Sequence, residues 1–272
     1  MAYDTGWVFK QTERERNAVK LSNQEVANLA QRSDIGIVAY LEEAVREAVR
    51  EAVCEAVQLS NSELRELNDP YFSQAMIELF KMNRRPEQGY VRGIFCGGKT
   101  CDEVMVCFRA AGIPFKSNSP LSADETLEDA HRSEGNTFID MGDDCFTKGE
   151  LYPLIEPSLR NRRIVNDALR DDTAVMLVDV VLGLDLHPDP AGVVAEAARE
   201  AQRLLQARDA SDGRAAIGVR EVLWIASVID TRGDPQGLDD QVNKLLGAGF
   251  VVTESTNRAA RLAASIITHR EV

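Results

Sequence analysis

The sequence predicts an α/β doubly wound protein with a parallel sheet and a helical N-terminal extension. From residue 90 onward, short continuous apolar runs alternate with amphipathic helix patterns, as expected of strands buried on both faces and joined by crossover helices. Four of these runs lead into loops rich in Gly and Asp. Residues 1–89, by contrast, are polar and helical in pattern and contain no glycine-rich strand-to-helix turn.

In chain order, the extension is centred on AVREAVREAVCEAV, Ala44–Val57. A helix advances 400° over four residues, so this period of four drifts by about 40° per repeat and wraps as an apolar stripe. Ser62 opens another short helix, Pro70 interrupts it, and the pattern resumes through FSQAMIELFKM until Pro86-Glu87-Gln88-Gly89 marks a boundary. Strands are then expected in the short apolar run that begins YVRGIF and ends in Gly97-Gly98, and at Thr137–Asp140, Ala174–Val181, Val222–Ile229 and Phe250–Thr253. Helices are expected at Cys101–Ala111, Ser158–Leu169, Ala191–Ala207, Gly237–Leu246 and Asn257–Ile267.

The 272 residues suffice for one large or two small domains. No apolar run approaches the roughly 18 residues of a membrane span, and no signal-peptide pattern opens the chain, so a cytoplasmic protein without a membrane partner is expected. The five cysteines form no CxxC pair and read as reduced thiols. A net charge of −13 disfavours nucleic acid as a partner, though not a small anion held by local N–H groups.

The strongest local signal is YVRGIFCGGKTCDE, Tyr90–Glu103. A strand that turns through glycines into a helix leaves backbone N–H groups unpaired, with the positive end of the helix dipole behind them. Such a turn suits phosphate or carboxylate, which makes Cys96, Gly97, Gly98, Lys99 and Thr100 candidate binding residues, Lys99 adding a mobile charge. A thiolate at Cys96 would also be favoured by this helix start. The strand end at Asp140 and the later loops MGDDCFTKGE, LGLDLHPDPAG and DTRGDPQG add Asp140, Gly142, Asp143, Gly183, Asp234 and Gln236 as further binding candidates. In parallel sheets, ligands bind where such loops converge. Lys99, Asp144 and His187 are the candidate catalytic groups. Asp140, Asp143 and Asp144 serve equally as turn and cap residues or, with hard oxygen ligands, as a seat for Mg²⁺; no dedicated metal site is expected. His187 either orients substrate or is a structural loop residue. Arg160, with Arg162 and Arg163 in EPSLRNRRI, is either a bidentate carboxylate or phosphate ligand or part of a solvated basic face.

YVRGIFCGGKTCDE, KSNSPL, NTFIDMGDDCFTKGELYPLIEPSLRNRRI, VMLVDVVLGLDLHPDPAG and IASVIDTRGDPQG together resemble the ligase half of FdrA, which is similar to the α-subunit of succinyl-CoA synthetase. The resemblance covers about residues 88–268 and implies two flavodoxin-like lobes of CoA-ligase type. The domain scheme is then a helical extension at 1–89, a first lobe at 90–157 and a second at 158–272. It also implies a subunit handling a carbamoyl or acyl phosphate, as in oxamate carbamoyltransferase, which converts oxalurate and phosphate into oxamate and carbamoyl phosphate. Companion FdrA-associated subunits, or a homo-oligomer using the Ala-Val stripe, are the expected partners. Acyl-CoA synthetases of this superfamily carry a phosphorylated histidine in the loop matched here by DTRGDPQG, which has none. A phosphohistidine relay at that position is excluded by residue identity, and CoA binding by this chain is not expected. The alternative is a non-catalytic scaffold or regulatory subunit that keeps the fold.

Overall fold

The computed structural model describes residues 84–211, 221–230, 233–253 and 255–268, all within the compact unit Val57–Val272. The helices expected before residue 84, the Ala-Val stripe included, lie outside the described residues. In chain order the elements are β1 (Tyr90–Phe95), α1 (Gly98–Ala110), β2 (Lys116–Ser117), a 3₁₀ turn (Ala123–Glu125), β3 (Thr137–Asp140), α2 (Asp144–Thr147) and α3 (Ser158–Ala168). They continue with β4 (Thr173–Val181), α4 (Pro190–Ser211), β5 (Leu223–Ile229), α5 (Leu238–Leu246), β6 (Phe250–Thr253) and α6 (Thr256–Thr268).

The strands form one sheet in the order β2-β3-β1-β4-β5-β6, and every neighbouring pair is parallel. Without the two-residue β2, this is the flavodoxin-like order. The boundary expected between residues 157 and 158 falls within this single sheet, because β1 pairs with β3 on one side and with β4 on the other. That shared strand makes the space between the carboxyl ends of β1 and β4 the topological switch point, the usual ligand position in such sheets.

Alternation along the strands divides the core between two faces. Ile94, Ile139, Met176, Val178, Trp224 and Val252 join Ile164, Val194, Ala198, Val242 and Leu245 in one buried cluster, beneath α3, α4 and α5. On the other face α1 and α6 pack on each other and on the sheet, with Phe108 of α1 edge-on to Phe138 of β3. The strands and long helices expected from residue 90 onward are present. Sequence pattern alone missed β2 and α2, which are too short to show a period.

The pairing of β1 with β4 stops at Ile94↔Val178. One residue beyond, the Arg160 guanidinium enters from α3 and its Nη2 donates to the carbonyls of both Ile94 and Asp179. The same nitrogen meets Asp179 Oδ1 at 2.8 Å. Arg160 thus takes up the backbone acceptors left where the two strands part. It is 3% exposed and Asp179 0%, so this is a buried ion pair. Removing one partner of such a pair leaves an uncompensated charge and costs about 3–5 kcal/mol. Asp179→Ala is expected to lose that much in denaturant unfolding; a loss below about 1 kcal/mol would show that the pair does not hold the switch point together.

Candidate functional site

Asp179 organises the turn after β1. Its carboxylate accepts from the Cys96 N–H at 3.0 and 3.1 Å and from the Thr100 hydroxyl at 2.8 Å; that hydroxyl also reaches the Gly97 carbonyl at 2.8 Å. The chain is thereby pinned on both sides of Gly97 and Gly98, and α1 begins at Gly98 with no side-chain cap and no acidic residue in its first turn. Cys101 donates the first helical N–H, to Gly97. The N–H groups of Gly97, Gly98, Lys99 and Thr100 have no acceptor among the described residues, and Lys99 is exposed. The cluster of donors expected from the glycine turn is present.

Asp140, at the end of β3, borders this turn. Its backbone exchanges two hydrogen bonds with the Asn118 side chain, and its Oδ1 accepts from the Gly142 N–H at 2.8 Å. A Cβ on Gly98 would stand 3.0 Å from Asp140 Oδ2, so a side chain there would require the carboxylate to give way by a few tenths of an ångström. Burial pushes the Asp140 carboxyl up to about 6; the Gly142 N–H opposes the shift, and the charges of Asp143, Asp179 and Asp102 add to it.

The other loops contribute as organisers. Gln236 Oε1 accepts from the Gly183 N–H, and its Nε2 donates to the Gly183 and His187 carbonyls. The His187 N–H donates to Leu154, while its Nδ1 accepts from the Asp189 N–H. The Asp234 carbonyl accepts from Gly237. Tyr152 reaches across to donate its hydroxyl to the Cys96 carbonyl at 2.8 Å.

Several expectations need correction. Arg160 is neither a ligand-facing arginine nor part of a solvated face; the parting of β1 and β4 draws it inside. Arg163 is also buried, bonded to Asp167, Ser133 and the Ala130 carbonyl, which leaves Arg162 as the exposed member. Burial overrides the helix dipole at Cys96 and pushes its thiol up to about 12. Of the two readings of the aspartates, capping holds at Asp143, which caps α2 through the Cys145 N–H, while Asp144 is exposed on that helix. Among the described residues, no three His, Cys, Asp or Glu side chains are placed to hold a metal ion. Asp179, Tyr152 and Asn118 were missed by sequence reasoning; of these, only Asp179 carried a signal, a lone carboxylate inside the apolar run AVMLVDVV.

Comparison with known proteins adds two findings. Residues 94–266 match the family model described as CoA-ligase, from Ile94 in β1 to Ile266 in α6. Uncharacterized protein YahF of Escherichia coli (strain K12) is 34% identical over 215 residues, covering 79% of this chain and 39% of YahF. The chain therefore spans about two fifths of the length of that relative.

The shift at Asp140 has a stability consequence. The folded state favours the protonated carboxyl, so the contribution is fully present below about pH 4 and is lost as pH rises through about 6. Between pH 4 and pH 7 the wild type should lose up to about 3 kcal/mol of unfolding free energy relative to Asp140→Asn, whose amide oxygen keeps the Gly142 bond. Parallel pH profiles for the two proteins would contradict the shift.

Proposed function

Since this chain belongs to the CoA-ligase family, we propose that it is an FdrA-like subunit handling a carbamoyl or acyl phosphate, with the phosphoryl group bound at the start of α1. The observation that carries the reading is the uncapped turn Gly97–Thr100 at the switch point, where the N–H groups have no acceptor among the described residues and Lys99 stands exposed beside them. Helix starts with free N–H groups favour anions through both hydrogen bonds and dipole. By the resemblance to oxamate carbamoyltransferase, the reaction is phosphorolysis of oxalurate to oxamate and carbamoyl phosphate. There the donors would hold phosphate against the carbamoyl carbon while a phosphate oxygen adds to it, charge develops on the carbamoyl oxygen, and the C–N bond to oxamate breaks as its nitrogen takes a proton, catalysis by positioning and electrostatics. Lys99 is the principal charged group in that role. Asp144, at the start of α2, and His187, in the loop after β4, are the remaining candidates for proton handling. Companion subunits or a second copy of the chain complete the pocket in this reading, and CoA is not a ligand of this chain.

A second reading, a scaffold or regulatory subunit, is favoured by one observation: DTRGDPQG lacks the histidine that the acyl-CoA synthetases phosphorylate. Turnover assays with and without companion subunits separate the two readings.

Three outcomes test the anion site and its chemistry. Phosphate and carbamoyl phosphate should raise the melting temperature while CoA does not, and Lys99→Ala should weaken both anions about tenfold in calorimetric titration, the range of one charge-assisted hydrogen bond. Unchanged affinity would remove Lys99 from the site. Incubation with labelled ATP or an acyl phosphate should give no acid-labile, base-stable label, because the loop Asp230–Gly237 offers no imidazole; recovery of such a label would contradict non-covalent catalysis.

A further inference from the structure

The hydrogen bond from Tyr152 to Cys96 joins two parts of the molecule that sequence alone leaves unrelated. Cys96 is held at both ends: its N–H by the Asp179 carboxylate and its carbonyl by the Tyr152 hydroxyl at 2.8 Å. No cis peptide occurs among the described residues. In a planar trans peptide the N–H lies antiparallel to the preceding carbonyl. Fixing the Cys96 carbonyl on Tyr152 therefore fixes the Gly97 N–H in the opposite sense, away from the Tyr152 hydroxyl, where it has no acceptor among the described residues.

We propose that Tyr152 is the positioning residue of the anion-binding turn, its hydroxyl setting the Cys96–Gly97 peptide so that the Gly97 N–H is presented to the ligand. This rests on the anion-binding reading given above and adds a residue that acts through another. Two further observations support it. Gly142 approaches the bond so closely that a Cβ there would overlap the Tyr152 hydroxyl and stand 2.9 Å from the Cys96 carbonyl, so the chain keeps the space around this contact clear. Tyr152 is also anchored from behind. Its carbonyl accepts from Ile155 and Glu156, and Leu154 accepts from His187, whose carbonyl is in turn bound by Gln236. The strut thus stands on the loops that follow β4 and β5 and ends on the turn that follows β1.

The coupling runs both ways. An oxyanion bound to the Gly97 N–H polarises that peptide and makes the Cys96 carbonyl a better acceptor, which strengthens the Tyr152 bond. By linkage, the Tyr152 bond strengthens anion binding by the same factor. Loss of one neutral hydrogen bond corresponds to about a fivefold effect.

Sulfate titration of the full chain at pH 7.5 tests this, because sulfate keeps its double charge and needs no turnover. Tyr152→Phe should weaken sulfate about fivefold. Gly142→Ala should weaken it as well, and Tyr152→Phe placed on top of Gly142→Ala should restore part of the loss, since removing the hydroxyl relieves one of the two overlaps. In the wild-type protein, the Tyr152 ring carbon bearing the hydroxyl should shift during titration together with the Gly97 amide in NMR spectra. That reading needs no variant that might misfold beyond the one used to assign the resonance. A Tyr152→Phe protein with wild-type affinity, or a Gly97 amide that moves while the Tyr152 resonance stays still, overturns the positioning role and leaves the anion site standing. A wild-type protein that binds no sulfate overturns the anion-binding reading itself, and this inference with it.

Discussion

The Asp179 carboxylate is the interaction on which the geometry of the switch point depends. A carboxylate withdrawn from water requires partners for its oxygens, and Asp179 receives them from three directions: the Cys96 N–H from β1, the Thr100 hydroxyl from α1 and Arg160 from α3. Each partner is a constraint on the site. Cys96 sets where β1 ends, Thr100 sets the first turn of α1, and Arg160 occupies the acceptors exposed where β1 and β4 part. A buried ion pair is weak evidence of net stability, but it selects one arrangement of the elements it joins. Here that arrangement leaves the start of α1 open.

The contrast with the other helices shows what that opening means. At α6 the Ser255 hydroxyl accepts from Arg258, and the Glu103 carboxylate, reaching over from α1, accepts from Asn257. Asp189 satisfies Gly192 at the start of α4, and α5 carries Asp239 and Asp240 in its first turn. Each of these devices supplies an acceptor or a negative charge to a helix start. At α1 the nearest carboxylates are committed otherwise: Asp179 to Cys96, Thr100 and Arg160, and Asp140 Oδ1 to Gly142. With burial holding the Asp140 carboxyl near 6, a change of charge beside the turn falls close to neutral pH.

The sheet was legible in the sequence because strands buried on both faces leave continuous apolar runs that no surface element imitates. The loops were legible because Gly and Asp mark the turns that follow them. What was not legible depends on contacts distant in sequence. The spacing of Arg160 and Arg163 identifies a helix face but not what the face meets, and buried aspartates, Asp179 on β4 for Arg160 and Asp167 on α3 itself for Arg163, reverse its meaning. Asp179 itself was readable in principle, since a lone carboxylate in AVMLVDVV demands a partner. Tyr152 carried no local signal; its role depends on Cys96, 56 residues earlier. Cys96 was misread because a helix start argues for a thiolate while burial argues against it, and sequence does not weigh the two.

The loop that lacks the expected histidine is also used differently. A covalent relay needs a nucleophilic side chain on that loop and freedom to present it. In this chain the loop instead contributes Gln236, whose amide spends its oxygen on the Gly183 N–H and its nitrogen on the Gly183 and His187 carbonyls. An amide engaged at both ends resists displacement, because moving it would leave the Gly183 and His187 backbone groups unsatisfied in a half-buried place. Fastening the loop after β5 to the loop after β4 in this way also steadies the segment that carries Tyr152. The loop that offers no histidine thus serves as a support for its neighbour.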